Sequence, residues 1–153
     1  MEEVLKISDL LKPEFIIDLQ SRNKAGALDE LLDVITQSEV ITDAGKFRKA
    51  IRDREKLMST GIGYGIAVPH ARDKSILDFV IAVGRKRDGL MYESIDDKPV
   101  QLIFMIGASD RQDKDYIRLL SRLVLRLKNE DLKNRILAAA DSSEIYEIIK
   151  ETR

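Results

Sequence analysis

His70 is the one imidazole in a chain of 153 residues, and imidazole is the side chain that serves as an adequate nucleophile while neutral near pH 7. Taken alone, such a histidine is more often a surface or satisfied core residue, because function needs a positioned partner as well as a suitable pKa. A single histidine removes two-histidine metal sites of the HExxH kind. The absence of cysteine removes zinc-thiolate sites, thiol nucleophiles and disulfides. Asp96 and Asp97, and the run Asp110, Gln112, Asp113 and Asp115, gather in turn-like stretches. Such spacing specifies a cation weakly, so they read as solvated loops and no metal is expected. Gly61, Gly63 and Gly65 would suit a dinucleotide loop if a strand preceded them and a helix followed. Here the order is helix, glycines, strand, the third glycine is wrongly spaced, and no Gly-Lys-Ser/Thr is present, which favours a close-packed turn over a nucleotide cradle. Backbone N–H groups at Gly63 and Gly65 could still help hold a phosphoryl group. No cofactor is expected.

The elements that must position His70 follow from periodicity. Residues 15–19 form a short apolar run, and Ser21 offers an N-cap oxygen before a helix whose Leu28, Leu31, Leu32 and Ile35 recur on one face. Thr42 or Asp43 can cap a second helix that turns Phe47, Ala50 and Ile51 inward and runs to about Arg54 or Lys56. Ile66, Ala67 and Val68 are too few for a helix before Pro69, whose predecessor is pushed to extended dihedrals, so His70 sits at a strand terminus or in the loop after it. Residues 79–83 and 100–106 are two further strands, the second apolar enough to be central, with a polar turn between them over residues 85–89. A long helix from Tyr116 carries Leu119, Leu120, Leu123, Val124 and Leu127 inward and Arg118, Arg122 and Arg126 outward. A shorter helix through Leu132, Ile136 and Leu137 follows, then a last one started by Asp141 or Ser142 with Glu144. Strands interleave with helices throughout, without repeat or linker, so residues 1–153 read as one α/β domain with helices on both faces of its sheet.

Composition narrows the partners. Apolar residues make up 44% and charged residues 35%, with 26 basic against 27 acidic side chains and a net charge of −1. That balance supports a real core and gives no electrostatic case for binding nucleic acid or a membrane surface. The acidic, charge-broken N-terminus lacks the pattern of a signal peptide, and no apolar run approaches the roughly 20 residues of a membrane helix. A cytoplasmic location is the expectation.

The run over residues 54–71 adds the neighbours that His70 needs. Glu55 stands seven residues before Ile62, the pair Ile62-Gly63 follows, and Ile66-Ala67-Val68-Pro69-His70 precedes the small residue Ala71. This stretch resembles the active-site signature of the fructose/mannitol-type enzyme IIA of the bacterial sugar phosphotransferase system, including its nitrogen-regulatory branch. Weaker similarity extends over nearly the whole chain, through the helix start at Asn23-Lys24, the strand over residues 100–106 and the helix over residues 119–127. The resemblance implies a mixed β-sheet flanked by helices and a histidine phosphorylated by the phosphocarrier HPr or its nitrogen-branch paralogue. That histidine maps onto His70, and the family's arginine and threonine map onto Arg54 and Thr60. A guanidinium offers planar, charge-assisted donors to a phosphoryl group and keeps its proton.

At one place the chain departs from the family pattern. Members commonly carry a second histidine at the start of the helix after the central strand, and Tyr116 aligns there. A phenol donates a hydrogen bond but supplies no cation. Three functions are compatible with these residues. In the first, phosphate passes from His70 to a cysteine of a IIB domain for sugar uptake. In the second, the phosphorylation state selects a regulatory target protein, and in the third the fold persists as a binding module that no longer accepts phosphate. Intact Arg54, Thr60 and His70 argue against the third.

Overall fold

The computed structural model describes residues 7–111 and 113–151; the charge-broken residues 1–6 and Gln112 of the acidic run lie outside the described residues. After two short 3-10 turns come β1 (Ile16–Asp18), α1 (Lys24–Ile35), α2 (Ala44–Leu57), β2 (Gly61–Gly63), β3 (Ile66–Ala67) and β4 (His70–Arg72). β5 (Val80–Leu90), β6 (Val100–Ala108), α3 (Asp113–Leu127), α4 (Glu130–Ala138) and α5 (Ser142–Glu151) complete the order. The sheet is mixed, in the order β1-β5-β6-β3-β2, with β4 also paired to β6. β5 runs antiparallel to β6 on one side. On the other side β3 and β4 lie end to end, both parallel to β6. β6 is therefore the central strand, and every residue from Leu102 to Ala108 is buried, as a strand covered by helices on both faces requires. No helix among the described residues is long and apolar enough to cross a membrane.

Local chemistry explains most boundaries and corrects some expectations. Asn23, not Ser21, caps α1 by accepting from the Gly26 N–H at 2.8 Å, and Ser21 lies two residues outside the helix. Asp43 caps α2 through the Lys46 N–H at 3.0 Å. Asp141 caps α5 by accepting from the Glu144 N–H at 2.9 Å, and the Glu144 carboxylate reaches back to the Ala140 N–H at 2.9 Å. The turn expected over residues 85–89 is instead the second half of β5. A register shift between Arg85 and Leu90 absorbs it as a bulge, with Gly89 at φ 79°.

Arg85 explains why a polar residue continues the strand. Its guanidinium is 1% exposed, donates to both Asp18 oxygens at 2.6 and 3.0 Å, and caps the end of α4 through the carbonyls of Ile136 at 3.0 Å and Ala139 at 2.6 Å. One cation thus ties β1, β5 and α4. Arg85→Met keeps an unbranched apolar stem and removes every donor, so it should lower stability by about 3 kcal/mol, read as a lower urea midpoint; an unchanged midpoint would show that the contacts are net neutral.

Candidate functional site

Pro69 has no N–H to give to a ladder and fixes its own φ, and Val68 and Pro69 belong to neither β3 nor β4. Chain continuity along β6 is kept because the Ile106 N–H donates to the Pro69 carbonyl at 2.9 Å. His70 then opens β4, opposite Ile106, half-buried. Its Nδ1 lies 2.8 Å from the Val68 carbonyl. A carbonyl only accepts, so Nδ1 carries the proton of the neutral ring and the lone pair resides on Nε2. Burial first, and the Arg54 guanidinium second, hold the imidazole below its ordinary pKa, against the opposite pull of the Val68 bond and of Glu55. The ring is thus a neutral nucleophile at physiological pH with its tautomer set.

Arg54 lies in the last turn of α2 and donates from Nη1 to the Met58 carbonyl at 2.7 Å, which folds the helix end back over residues 58–60. Its charge reaches both His70 and Tyr116. Tyr116 sits in the first turns of α3, 8% exposed, with its ring centroid 5.9 Å from that of His70 and tilted by 54°. The Arg72 guanidinium lies 4.9 Å from the centroid of the Tyr116 ring, a cation–π arrangement. Alternation along β4 puts Arg72 on the same face as His70. Burial raises the Tyr116 phenol to about 12, opposed by Arg72 and Arg54, so it remains protonated. His70 and Tyr116 are brought together across 46 residues of chain, with the charge of Arg54 reaching both.

Thr60, Gly63 and Gly65 are placed differently. Thr60 is 4% exposed, and its N–H and hydroxyl both donate to Glu55, so it faces the helix end and not the imidazole. Gly63, Tyr64 and Gly65 all have positive φ, at 89°, 60° and 74°, which the tight β2–β3 connection requires. The turn is tied down by its backbone: Gly63 N–H donates to Ser94 Oγ at 3.2 Å, and the Gly65 carbonyl accepts from the Gln101 and Leu102 N–H groups at 2.7 and 3.0 Å. The turn leads into Ile66 opposite Leu102, whereas His70 is opposite Ile106, a separation of about 13 Å along the strand. A cleft of about 950 Å³ at this turn, lined by Tyr64, Ile95, Lys98, Lys128 and Lys133 among others, includes none of His70, Arg54 and Tyr116. The residues that sequence reasoning missed are Val68, whose contribution is a carbonyl without side-chain signature, Arg72, and the buried partners of Thr60.

Residues 9–152 match the family model described as phosphoenolpyruvate-dependent sugar phosphotransferase system, EIIA 2. The fructose-specific EIIABC component of Bacillus subtilis is 36% identical over 148 residues; the match takes in 96% of this chain but only 23% of that protein. Among solved structures, the nitrogen regulatory protein IIA-Ntr of Neisseria meningitidis superposes with a TM-score of 0.85 at 24% identity, over 94% of this chain and 98% of its own. Enzyme IIAMTL of Escherichia coli, solved in complex with phosphorylated enzyme IIBMTL, gives 0.78 at 21% identity, over 93% and 99%. At these identities the two structures establish the shared fold.

The ring environment makes two expectations testable by NMR of the single histidine. At pH 8 its nitrogens should report the Nδ1–H tautomer, and its titration midpoint should lie below 6.5, because burial and Arg54 both disfavour the cation. Arg54→Gln removes one of those causes, so the midpoint should move up; a midpoint that stays or falls would show that the guanidinium does not face the ring.

Proposed function

Because the chain belongs to the EIIA type-2 family of the phosphoenolpyruvate-dependent sugar phosphotransferase system, we propose that His70 is its phosphoryl acceptor and that Nε2 is the reacting atom. The observation that carries this reading is the Nδ1–H bond to the Val68 carbonyl, which leaves the Nε2 lone pair available at neutral pH. In the proposed step that lone pair forms a bond to phosphorus as the bond to the phosphohistidine nitrogen of HPr, or of its nitrogen-branch paralogue, breaks. The bonding pair returns to the donor ring. His70 then carries phosphorus on Nε2 and a proton on Nδ1. In the onward step a cysteine thiolate of a IIB domain attacks phosphorus, and the pair of the broken N–P bond restores the neutral imidazole.

A transferring phosphoryl group carries charge near −2, and positive charge is at hand in Arg54, which acts on the imidazole, and in Arg72, which lies over the Tyr116 ring. Arg54 stabilises the group by charge-assisted hydrogen bonds. Tyr116 packs the ring and stands where family members commonly have a second histidine, with Arg72 behind it contributing the cation that a phenol lacks. Thr60 serves from one layer further in. Exposed Leu57 and Met58 beside Arg54, and exposed Ile117 beside Tyr116, suit a macromolecular partner covering the imidazole. The family resemblance to fructose-specific EIIABC supports onward transfer to IIB. Control of a regulatory target by the same phosphorylation is the competing outcome.

Incubation with phosphorylated HPr and with its paralogue, followed by candidate IIB domains, tests the reading. His70→Ala should abolish acid-labile, base-stable labelling with the fold intact, and retained label would overturn the assignment. Labelling without onward transfer to any IIB domain would favour regulation. Arg54→Lys keeps charge but loses the planar fork, so transfer should slow roughly tenfold or more with little change in melting temperature. Tyr116→Phe should cost at most about tenfold, and Tyr116→His should raise transfer to IIB if the second histidine contributes a cation. Equal rates across wild type and both Tyr116 variants would make Tyr116 packing alone.

A further inference from the structure

Glu55 performs no chemistry in the proposed reaction, yet its setting is demanding. α2 buries one stripe, Phe47, Ile51 and Glu55, so a carboxylate occupies the last position of an otherwise apolar face. Its two oxygens meet four donors. The Thr60 N–H donates at 3.1 and 3.2 Å, the Thr60 hydroxyl donates as well, the Tyr92 hydroxyl donates at 2.7 Å, and the Lys24 ammonium lies at 3.4 Å. Lys24 also stands over the Tyr92 ring, 4.5 Å from its centroid. Tyr92 is fully buried, and burial followed by the charge of Glu55 drives its phenol far above the ordinary value, so it remains a donor. A buried carboxylate is expensive unless each lone pair is used, and here they are.

The bonds do not stop at Thr60. The Thr60 carbonyl accepts the Val68 N–H at 3.0 Å, and the Val68 carbonyl accepts His70 Nδ1–H at 2.8 Å. On the helix side, Arg54 precedes Glu55 in the chain and closes the same turn by donating to Met58. Both groups assigned to the phosphoryl site are therefore fastened to one buried anion, His70 through two residues and Arg54 through one peptide bond. We propose that Glu55 is a positioning residue: it anchors residues 58–60 and thereby sets the Val68 carbonyl that holds the tautomer of His70. This rests on the reading of His70 as the phosphoryl acceptor.

A turn alone could be held by a neutral side chain; four convergent donors need an acceptor on every lone pair. Glutamine has the same volume but presents an NH₂ group to at least one of those donors, which makes Glu55→Gln the discriminating change. The other charged and titratable groups around the ring, Arg54, Arg72 and Tyr116, stay in place. With ¹⁵N-histidine labelling, the ratio of Nδ1–H to Nε2–H tautomer at pH 8 should fall by roughly fivefold in Glu55→Gln, the scale of one hydrogen bond. The titration midpoint of His70 should also move down, since the anion that favours the cation is gone. Phosphoryl uptake from phosphorylated HPr should slow about tenfold.

Thr60→Val removes the hydroxyl donor and keeps the N–H, so it should shift the tautomer ratio the same way by a smaller factor. Adding it to Glu55→Gln should change the ratio no further. A folded Glu55→Gln protein with the wild-type tautomer ratio overturns the proposal, because loss of the charge alone would move only the midpoint and the melting temperature. Should Glu55→Gln fail to fold, a wild-type ratio in Thr60→Val overturns it instead. The ring signals need no phosphoryl donor. A wild-type protein that responds at the ring as expected but takes no label would overturn the acceptor reading and leave the tie from Glu55 to His70 standing.

Discussion

One hydrogen bond organises the site: the imidazole of His70 donating to the carbonyl of Val68 across Pro69. The proline between them is what makes so short a loop back possible. It interrupts the edge that β3 and β4 form along β6 without detaching either strand, because its own carbonyl still accepts from Ile106. A rigid two-residue break between two strands held by the same neighbour aims a backbone acceptor at a side chain two positions later. The donor and the acceptor then share one scaffold, and motion of the sheet carries both together.

Around that bond the charges are arranged by element ends. α2 finishes with Arg54 and Glu55 side by side, one reaching toward the imidazole and the other buried beneath it. β4 contributes Arg72 on the face of His70, and α3 brings the Tyr116 ring near both. The cations lie outward, where an anionic group would arrive, and the single carboxylate lies inward, where it is saturated by Thr60, Tyr92 and Lys24. An inward anion holds the walls without repelling what comes to the surface. That separation resolves the conflict between needing a fixed site and needing a positive one.

Much of this was legible in the residues. The helix faces built on Leu28, Leu31, Leu32 and Ile35, and on Phe47 and Ile51, are buried, and the apolar run from Val100 is the central strand, because burial periodicity is a direct imprint of packing. His70, Arg54 and Tyr116 were identifiable only through the family signature, since no local rule brings residues 54, 70 and 116 into contact. The expected turn at residues 85–89 failed because Arg85 looks solvated in sequence, whereas a partner 67 residues away, Asp18, and the end of α4 satisfy it inside. Ser21 failed as a cap by competition from Asn23, an equally good capping residue two positions on. Thr60 enters the site only through the family resemblance, and its hydroxyl is turned to Glu55; Glu55 itself reads as an ordinary helix-end charge until Tyr92 and Lys24 are folded onto it. Val68 left no trace at all, its role being carried by a main-chain atom common to every residue.

The fixed ring has a kinetic corollary. Holding Nδ1 against the backbone leaves a single reactive nitrogen on one half-buried face, walled by Arg54 and Tyr116. In the proposed reaction, donor and acceptor proteins must then use the same approach and cannot occupy it together. On that proposal no ternary complex would form, and turnover would follow a ping-pong course with a discrete phosphorylated form released between two encounters. Between encounters only hydrolysis would limit the lifetime of such a form. The fraction of molecules carrying it therefore registers the balance between supply and demand for phosphoryl groups, whichever partner is served next.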